Sequence, residues 1–209
     1  MQLLKGENMH SQNNEEKVIL EYFGDKKGVV LDLGCNDGSL LSNSYQLICN
    51  GWEGLLVDAS QEALERAVAL HKGRKVLFFH MGLSTQDGKF EMYHSGFHLT
   101  KNDISLLSTF KKEETERWKG VDFKKIEVHC LCWESFYSQM LNRTHFDAIS
   151  IDIEGLDWDI LSSINLDETE TSLVCVEFNG KEEKKYVDYC KKFGMKLIHK
   201  NGENLILAR

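Results

Sequence analysis

The sequence predicts a single-domain α/β protein whose doubly wound sheet is mostly parallel and ends in an antiparallel hairpin. Short apolar runs alternate with helical segments along the chain, as they do in βαβ units. Several of these runs end on an acid or a glycine, which is typical of parallel strands whose carboxyl ends form a ligand crevice. The last two segments, 195–199 and 204–208, flank Asn201-Gly202, a favoured hairpin turn.

Length and composition fit one globular domain. A chain of 209 residues can bury a full core, and we divide it into an N-terminal helical segment, 1–27, and a core, 28–209. Hydrophobic residues make up 42% and charged residues 28%, which is ordinary for a globular protein. No apolar run approaches the roughly twenty residues of a membrane helix, and the polar start lacks a signal-peptide core. These features predict a cytoplasmic protein without a membrane span.

The net charge indicates which ligands the protein binds, and the cysteine pattern indicates whether it holds zinc or disulfides. The net charge of −8 disfavours nucleic acid, because an acidic surface repels a phosphate backbone, and it fits a small or neutral ligand better. The six cysteines form no C-x-x-C pair, and most lie in apolar runs or at their ends. We therefore expect reduced core cysteines rather than zinc ligands or disulfides.

The first strand is predicted at 29–33, an apolar run that breaks into a turn at Gly34 and Gly38. Glycines let a ligand lie against the main chain, and the polar residues between them suit a turn. A helix is expected to follow at 40–50. Before this strand, Ser11 is a candidate N-cap for a helix whose core-facing residues would be Val18, Ile19, Tyr22 and Phe23, with Glu15 and Glu16 in its first turn.

The second strand, 54–57, ends in Asp58, twenty residues past Gly38. In a nucleotide-binding βαβ unit such a carboxylate accepts hydrogen bonds from the ribose hydroxyls. The turn lacks the crowded glycines that a pyrophosphate would need, and Asp32 and Asp37 would repel phosphate. These acids suit a cationic ligand, and S-adenosylmethionine carries a sulfonium and an ammonium. The alternative is an ordinary strand-turn-helix whose acids cap the helix.

The middle of the chain continues the alternation. Ser60 is the expected N-cap of a helix at 61–71 with a buried stripe that includes Leu70, and a third strand follows at 76–79. Alternating residues at 89–93 indicate a half-exposed strand or an edge strand. The irregular stretch 94–122 is interpreted as a lid or acceptor-binding insertion, with a solvated surface excursion as the alternative. A strand at 125–131 and a short helix at 132–142 come next.

A second candidate site follows the strand at 148–151. This apolar run delivers Asp152 at its carboxyl end, with Glu154 just beyond it, and the strand at 173–176 ends on Glu177 before a helix at 181–193. Carboxylates this close are costly unless they bind a cation, a proton or hydrogen-bond donors, which suggests a functional site. Helix capping by these acids is the alternative.

With these segments in place, the chain resembles the FkbM-type family of S-adenosylmethionine-dependent O-methyltransferases over nearly its whole length. The matching motifs are Ser11-Gln12-x-x-Glu15-Glu16, Leu31-Asp32-Leu33-Gly34-Cys35-Asn36-Asp37-Gly38, Gly82-Leu83-Ser84 leading to Asp87-Gly88, and Ile151-Asp152-Ile153-Glu154-Gly155. Ala59-Ser60 departs from the Pro-Asn-like residues that the family often has after the ribose carboxylate. The resemblance implies a Rossmann-like, class I methyltransferase sheet and methyl transfer to a hydroxyl, often on a sugar or a macrolide.

From the motifs and the resemblance we predict the site residues. Asp152 is our choice of general base, and Glu154 and Glu177 would shape the acceptor pocket. These three acids are also the expected ligands if a divalent cation such as Mg²⁺ takes part. The predicted cofactor-binding residues are Ser11, Gln12, Glu15, Asp32, Gly34, Asn36, Asp37, Gly38, Asp58, Ala59, Gly82, Leu83, Ser84 and Asp152.

Two other functions fit part of the sequence. A nicotinamide-dependent oxidoreductase is favoured by Asp58 and the sheet and disfavoured by the missing third glycine. A non-catalytic cofactor-binding module of a larger glycan-assembly protein is disfavoured by acids at three strand ends. The acceptor itself, a small molecule or a carbohydrate, is not specified by the sequence.

Overall fold

The computed structural model describes residues 10–97, 103–140 and 145–209. Its helices are α1 (Glu15–Phe23), α2 (Tyr45–Cys49), α3 (Gln61–Leu70), α4 (Lys112–Thr115), α5 (Trp133–Ser138), α6 (Asp157–Leu161) and α7 (Glu183–Lys191). Its strands are β1 (Val29–Leu33), β2 (Glu53–Asp58), β3 (Val76–His80), β4 (Gly82–Leu83), β5 (Gly88–Ser95), β6 (Phe123–Leu131), β7 (Ala148–Ile151), β8 (Leu173–Glu177), β9 (Lys196–Lys200) and β10 (Asn204–Ala208).

The main sheet has seven strands in the order β3-β2-β1-β7-β8-β10-β9. The first five run parallel, and β10 pairs antiparallel with both β8 and β9. The predicted fold class is therefore confirmed, including the closing hairpin. The order reverses between β1 and β7, which is the position where doubly wound sheets bind their ligands.

Apolar residues cover the sheet on both faces, which is why its strands read as continuous apolar runs. One cluster joins Leu31, Ile149 and Val176 to the helices α5, α6 and α7. The other joins Val30, Leu56 and neighbouring strand residues to the helices α1, α2 and α3. All six cysteines are free, and Cys35, Cys130, Cys175 and Cys190 are buried, as expected for core residues. The expectation is wrong for Cys49, which is exposed at the end of α2, and for Cys132, which is half-buried.

A second, three-stranded sheet lies beside the main one, in the order β4-β6-β5. β5 is an edge strand, as its alternating sequence predicts, and it pairs antiparallel with β6 along its whole length. The described part of the 94–122 insertion connects these two strands. Tyr93 in β5 also forms an isolated bridge with Thr109 of the insertion.

Several predicted helices are shorter in the structure. The helix expected at 40–50 begins only at Tyr45, because Leu41 has a left-handed φ of 57° and the Ser42 hydroxyl accepts the N–H groups of Ser44 and Tyr45. The helix expected at 181–193 spans Glu183–Lys191, after Glu182 with a φ of 51°. The helix expected at 132–142 ends at Ser138, and residues 141–142 lie outside the described residues.

The N-terminal helix differs in its cap and in its buried face. Ser11 is not the N-cap, because Asn14 takes that position. Ser11 lies before the cap, and its hydroxyl accepts a hydrogen bond from the Glu16 N–H at 3.1 Å. Tyr22, expected in the core, is 36% exposed, and so is Leu70 of α3 at 39%. Within the described ranges, no helix is long and apolar enough to cross a membrane.

Candidate functional site

A cavity of about 240 Å³ opens at the carboxyl ends of the parallel strands. The strand register explains its position, because Leu33 of β1 pairs with Val57 of β2 and Ile151 of β7. The residues that follow these three are therefore brought to one edge of the sheet. The predicted site residues that line the cavity are Gln12, Asp32, Gly34, Asn36, Asp58, Ala59, Gly82, Leu83, Asp152, Glu154 and Glu177.

Gly34 lies where the ends of β1 and β7 approach most closely. Its φ is 88°, and a Cβ atom there would be 1.7 Å from the carbonyl oxygen of Asp152. The Asp152 N–H in turn donates to the Leu33 carbonyl at 2.9 Å. Only glycine fits this position, which also lines the cavity.

Asp58 is held by two backbone donors at the end of β2. Its carboxylate oxygens accept the N–H groups of Asn36 and Ser60, each at 2.7 Å. Burial raises the pKa of Asp58, and these two hydrogen bonds act in the opposite direction. The carboxylate is thus fixed in orientation beside the glycine turn, as a hydrogen-bond acceptor for a ligand must be.

Asp32 is buried within β1, and its carboxylate accepts a hydrogen bond from the Ser44 hydroxyl at 2.5 Å. Burial raises the pKa of Asp32 to about 6, and the nearby charge of Asp58 adds to this effect. This acid therefore binds its proton more tightly than an exposed carboxyl group. Above about pH 6, the ionised Asp32 carboxylate adds a negative charge to the cavity.

Five predicted cofactor residues do not line the cavity: Ser11, Glu15, Asp37, Gly38 and Ser84. Asp37 accepts the backbone N–H groups of Ser39 and Leu40, so it stabilises the turn from outside. Gly38 faces His71, since a Cβ atom there would be 2.9 Å from its Nε2 atom.

The three remaining residues also have structural partners. Glu15 accepts hydrogen bonds from the side chains of Asn201 and Asn204, at 2.6 and 2.9 Å, so it ties α1 to the closing hairpin. The Ser11 hydroxyl is occupied by the Glu16 N–H, and the Ser84 N–H donates to the Leu131 carbonyl of β6. At these positions, the matching sequence motifs stabilise the structure around the cavity, but their residues do not line it.

Acidic residues that follow β7 and end β8 also line the cavity. Burial raises the pKa of Asp152 to about 8, with the charge of Asp157 as the next cause. Burial also raises the pKa of Glu154 and of Glu177, and in both cases the charge of Asp152 adds to it. These groups therefore bind a proton more tightly than an ordinary carboxyl group does.

Asp157 belongs to this cluster, although the sequence analysis did not select it. Its carboxylate accepts the N–H groups of Ile153 and Gly155 at 2.9 and 3.0 Å, which closes the loop after β7. One carboxylate oxygen from each of Asp152, Asp157 and Glu177 lies within 4.8 Å of the others, so Asp157 rather than Glu154 completes the group able to hold a cation. The signal in the sequence was an acid two residues after the turn glycine, at the start of a helix.

The insertion forms another part of the cavity lining. Ser105 to Ser108, Phe110, Arg117 and Trp118 line it, whereas residues 98–102 lie outside the described residues. The Arg117 guanidinium donates to Glu114 at 2.5 Å and to the side chain of Asn179 at 3.3 Å. Its charge also acts to lower the pKa of Glu154 and Glu177, against the larger effect of burial. Sequence analysis did not identify Arg117 or Trp118, because nothing local marks them.

Comparison with known proteins identifies the family. A family model described as the methyltransferase FkbM domain matches residues 32–197. The matched region contains both the glycine turn after β1 and the acidic loop after β7. A comparison with curated proteins finds no match.

Several solved structures are similar to this chain at low sequence identity. They include magnesium protoporphyrin IX methyltransferase (ChlM) from Synechocystis PCC 6803 with bound SAM, at 12% identity and a TM-score of 0.48 over 93% of this chain and 77% of that chain. Ribosomal protein L11 methylase from Lactobacillus delbrueckii subsp. bulgaricus has 13% identity and a TM-score of 0.45, with the same coverage. WbdD has 14% identity and a TM-score of 0.48 over 93% of this chain and 39% of its own.

Proposed function

Because this chain belongs to the methyltransferase FkbM domain family, we propose that it transfers a methyl group from S-adenosylmethionine to a hydroxyl group of a small molecule or a glycan, with a sugar as the favoured acceptor. One observation carries this proposal. The glycine turn and Asp58 line the same cavity as Asp152, Glu154 and Glu177. Transfer between two molecules requires donor and acceptor to be held side by side, and we assign one part of this cavity to each.

The donor end fits the adenosine and amino acid parts of S-adenosylmethionine. Asp58 would accept hydrogen bonds from the ribose hydroxyls, and Gly34 and Asn36 would lie against the ligand. Gln12, Ala59, Gly82 and Leu83 also line the cavity. We place the adenosine edge against Ala59, Gly82 and Leu83, with Gln12 closing over the cofactor. The surrounding carboxylates favour a cationic sulfonium over a phosphate-bearing cofactor.

At the acceptor end, Asp152 acts as general base. S-adenosylmethionine would supply the methyl group and leave with the electron pair of its carbon–sulfur bond, while the Asp152 carboxylate takes the proton of the acceptor hydroxyl. The reaction neutralises the sulfonium, so positioning and deprotonation provide most of the catalysis. A pKa of about 8 suits a proton acceptor working near neutral pH. Glu154 and Glu177 line the pocket that receives the acceptor.

A second version of the acceptor site is favoured by the arrangement of Asp152, Asp157 and Glu177. Their oxygens lie within 4.8 Å of one another, and in the described part of the chain the Oε2 atom of Glu177 is buried without a hydrogen-bond partner. Hard oxygen ligands suit Mg²⁺ or Ca²⁺ rather than Zn²⁺. Such an ion would supply a Lewis acid that lowers the pKa of the acceptor hydroxyl, with Asp152 as one of its ligands.

The proposal is tested by cofactor binding and by methyl transfer. Differential scanning calorimetry should show that S-adenosylhomocysteine raises the melting temperature and that NAD does not. A library of sugars and other alcohols, incubated with deuteromethyl S-adenosylmethionine, should then give a product with one deuteromethyl group on oxygen by mass spectrometry. Stabilisation by NAD alone would support an oxidoreductase instead. Stabilisation by S-adenosylhomocysteine without transfer to any acceptor would support a non-catalytic module.

A further inference from the structure

Glu154 has an unusual backbone conformation at the acceptor end of the cavity. Its φ is 52°, in the left-handed region, and this costs a residue with a side chain about 1 kcal/mol or more. Such a conformation persists only where neighbouring groups fix it. Because the Glu154 side chain lines the main cavity, the conformation of its backbone determines where its carboxyl group points.

Hydrogen bonds hold this residue from both sides. The Thr109 hydroxyl, which comes from the insertion, donates to the Glu154 carbonyl oxygen at 2.6 Å. On the other side, Asp157 accepts the N–H groups of Ile153 and Gly155, the two neighbours of Glu154. The loop after β7 is therefore fixed partly by its own residues and partly by one residue distant in the sequence.

Thr109 is itself firmly placed. It is 1% exposed, and its backbone N–H and C=O groups both pair with Tyr93 of β5, at 3.1 and 2.8 Å. Its hydroxyl oxygen also accepts the Lys111 N–H at 3.0 Å. Thr109 thus connects the second sheet to the acidic loop of the main sheet.

We propose that Thr109 is a positioning residue for methyl transfer: its hydroxyl keeps Glu154 in the left-handed conformation that directs this side chain into the acceptor pocket. The proposal rests on the proposed function, because it is the acceptor that Glu154 would contact. It gives the insertion a second role besides lining the cavity. The acceptor affinity, but not the cofactor affinity, depends on this one hydroxyl group.

The test compares Thr109→Val, which keeps the shape and removes the hydroxyl, with Thr109→Ser, which restores it. Thr115→Val is the matched control, since the Thr115 hydroxyl lies in the same insertion but bonds only locally, to the Lys112 carbonyl at 2.6 Å. Hydrogen exchange of the peptide 150–160, followed by mass spectrometry, needs no acceptor. Thr109→Val loses the hydrogen bonds to the Glu154 carbonyl and from the Lys111 N–H, and only the first of them reaches the loop after β7. We expect its loss to give about tenfold faster exchange at Ile153 to Asp157, with wild-type exchange in Thr109→Ser and Thr115→Val.

The kinetic arm uses the best acceptor from the sugar library. Thr109→Val should raise its KM about tenfold while the dissociation constant of S-adenosylhomocysteine stays within about twofold of wild type. Unchanged exchange in Thr109→Val, or an equal loss of cofactor affinity, would overturn the proposal. If Thr109→Val does not fold, Thr109→Ala gives the same comparison. If the wild type methylates no acceptor, the proposed function fails, and the exchange arm alone decides whether Thr109 positions the loop.

Discussion

Several of the residues that line the cavity are acids. Asp58 is the clearest example, because its two backbone partners leave it oriented towards the turn where a ribose would lie. Hydrogen bonds to a charged group are worth about 1.5–3 kcal/mol. We therefore expect Asp58→Ala to weaken the binding of S-adenosylmethionine, and of the product S-adenosylhomocysteine, by about this amount, as measured by isothermal titration calorimetry.

Asp87→Ala is the matched control for Asp58→Ala. Asp87 also accepts two hydrogen bonds after a strand, from the Cys132 N–H at 2.8 Å and the Ser135 hydroxyl at 2.6 Å, but it does not line the cavity. Its removal should leave the affinity for S-adenosylhomocysteine unchanged. Equal affinities of a folded Asp58→Ala protein and wild type would refute the ribose assignment.

The position of a residue at the edge of the sheet can be predicted from the sequence where the residue ends a strand or directly follows one. Asp58, Asp152 and Glu177 each end or follow an apolar run, and the parallel register brings them to one edge. It fails for Asp157 and Arg117, whose positions depend on how a loop closes and how the insertion folds back. No periodicity in the sequence encodes either of these.

Among the elements, the close approach of β1 and β7 shapes the site. Gly34→Ala would force a Cβ atom to 1.7 Å from the Asp152 carbonyl oxygen, which the two strands can relieve only by moving apart. We expect this substitution to lower the free energy of unfolding by about 3 kcal/mol or more, measured by urea denaturation.

Gly51→Ala separates crowding from backbone strain. Gly51 has a similar φ of 92°, but nothing lies within 4 Å of a Cβ atom built there. Its replacement should cost only the left-handed conformation, about 1 kcal/mol. Equal losses for the two alanine variants would show that the β1–β7 approach is not a steric constraint.

The order of the elements could be predicted, because strands that are buried on both faces have continuous apolar sequences. The boundaries of the elements could not be predicted in the same way. The helix expected at 40–50 is the best case. The apolar residues at its end do form a helix, α2, but hydrogen bonds to the Ser42 hydroxyl keep the residues before Tyr45 in a turn. Side chains that compete for backbone donors act over two or three residues and are not visible in hydrophobic periodicity.

For the whole molecule, the buried acids predict how stability varies with pH. An acid whose pKa is raised in the folded state binds its proton more tightly there than in the unfolded chain. The free energy of unfolding therefore falls as the pH rises from the unfolded pKa, near 4, to the folded pKa. For Asp152, with a folded pKa of about 8, the loss is about 1.4 kcal/mol per pH unit in this range.

We expect the protein in EDTA to be less stable at pH 8 than at pH 6 by about 2 kcal/mol or more, measured by urea denaturation at both values. Asp152→Asn, which cannot ionise at this position, should reduce this difference. A wild-type protein equally stable at the two pH values would show that these acids are not protonated when buried.

The rate of deuteromethyl transfer by wild type and Asp152→Asn, each with EDTA and with added Mg²⁺, tests the central claim most directly. If Asp152 is the general base, wild-type activity survives EDTA, and the Asn variant loses about a hundredfold or more. If Asp152, Asp157 and Glu177 hold a cation, EDTA abolishes wild-type activity and Mg²⁺ restores it. An Asp152→Asn variant that transfers the methyl group at the wild-type rate would contradict both versions of the acceptor site.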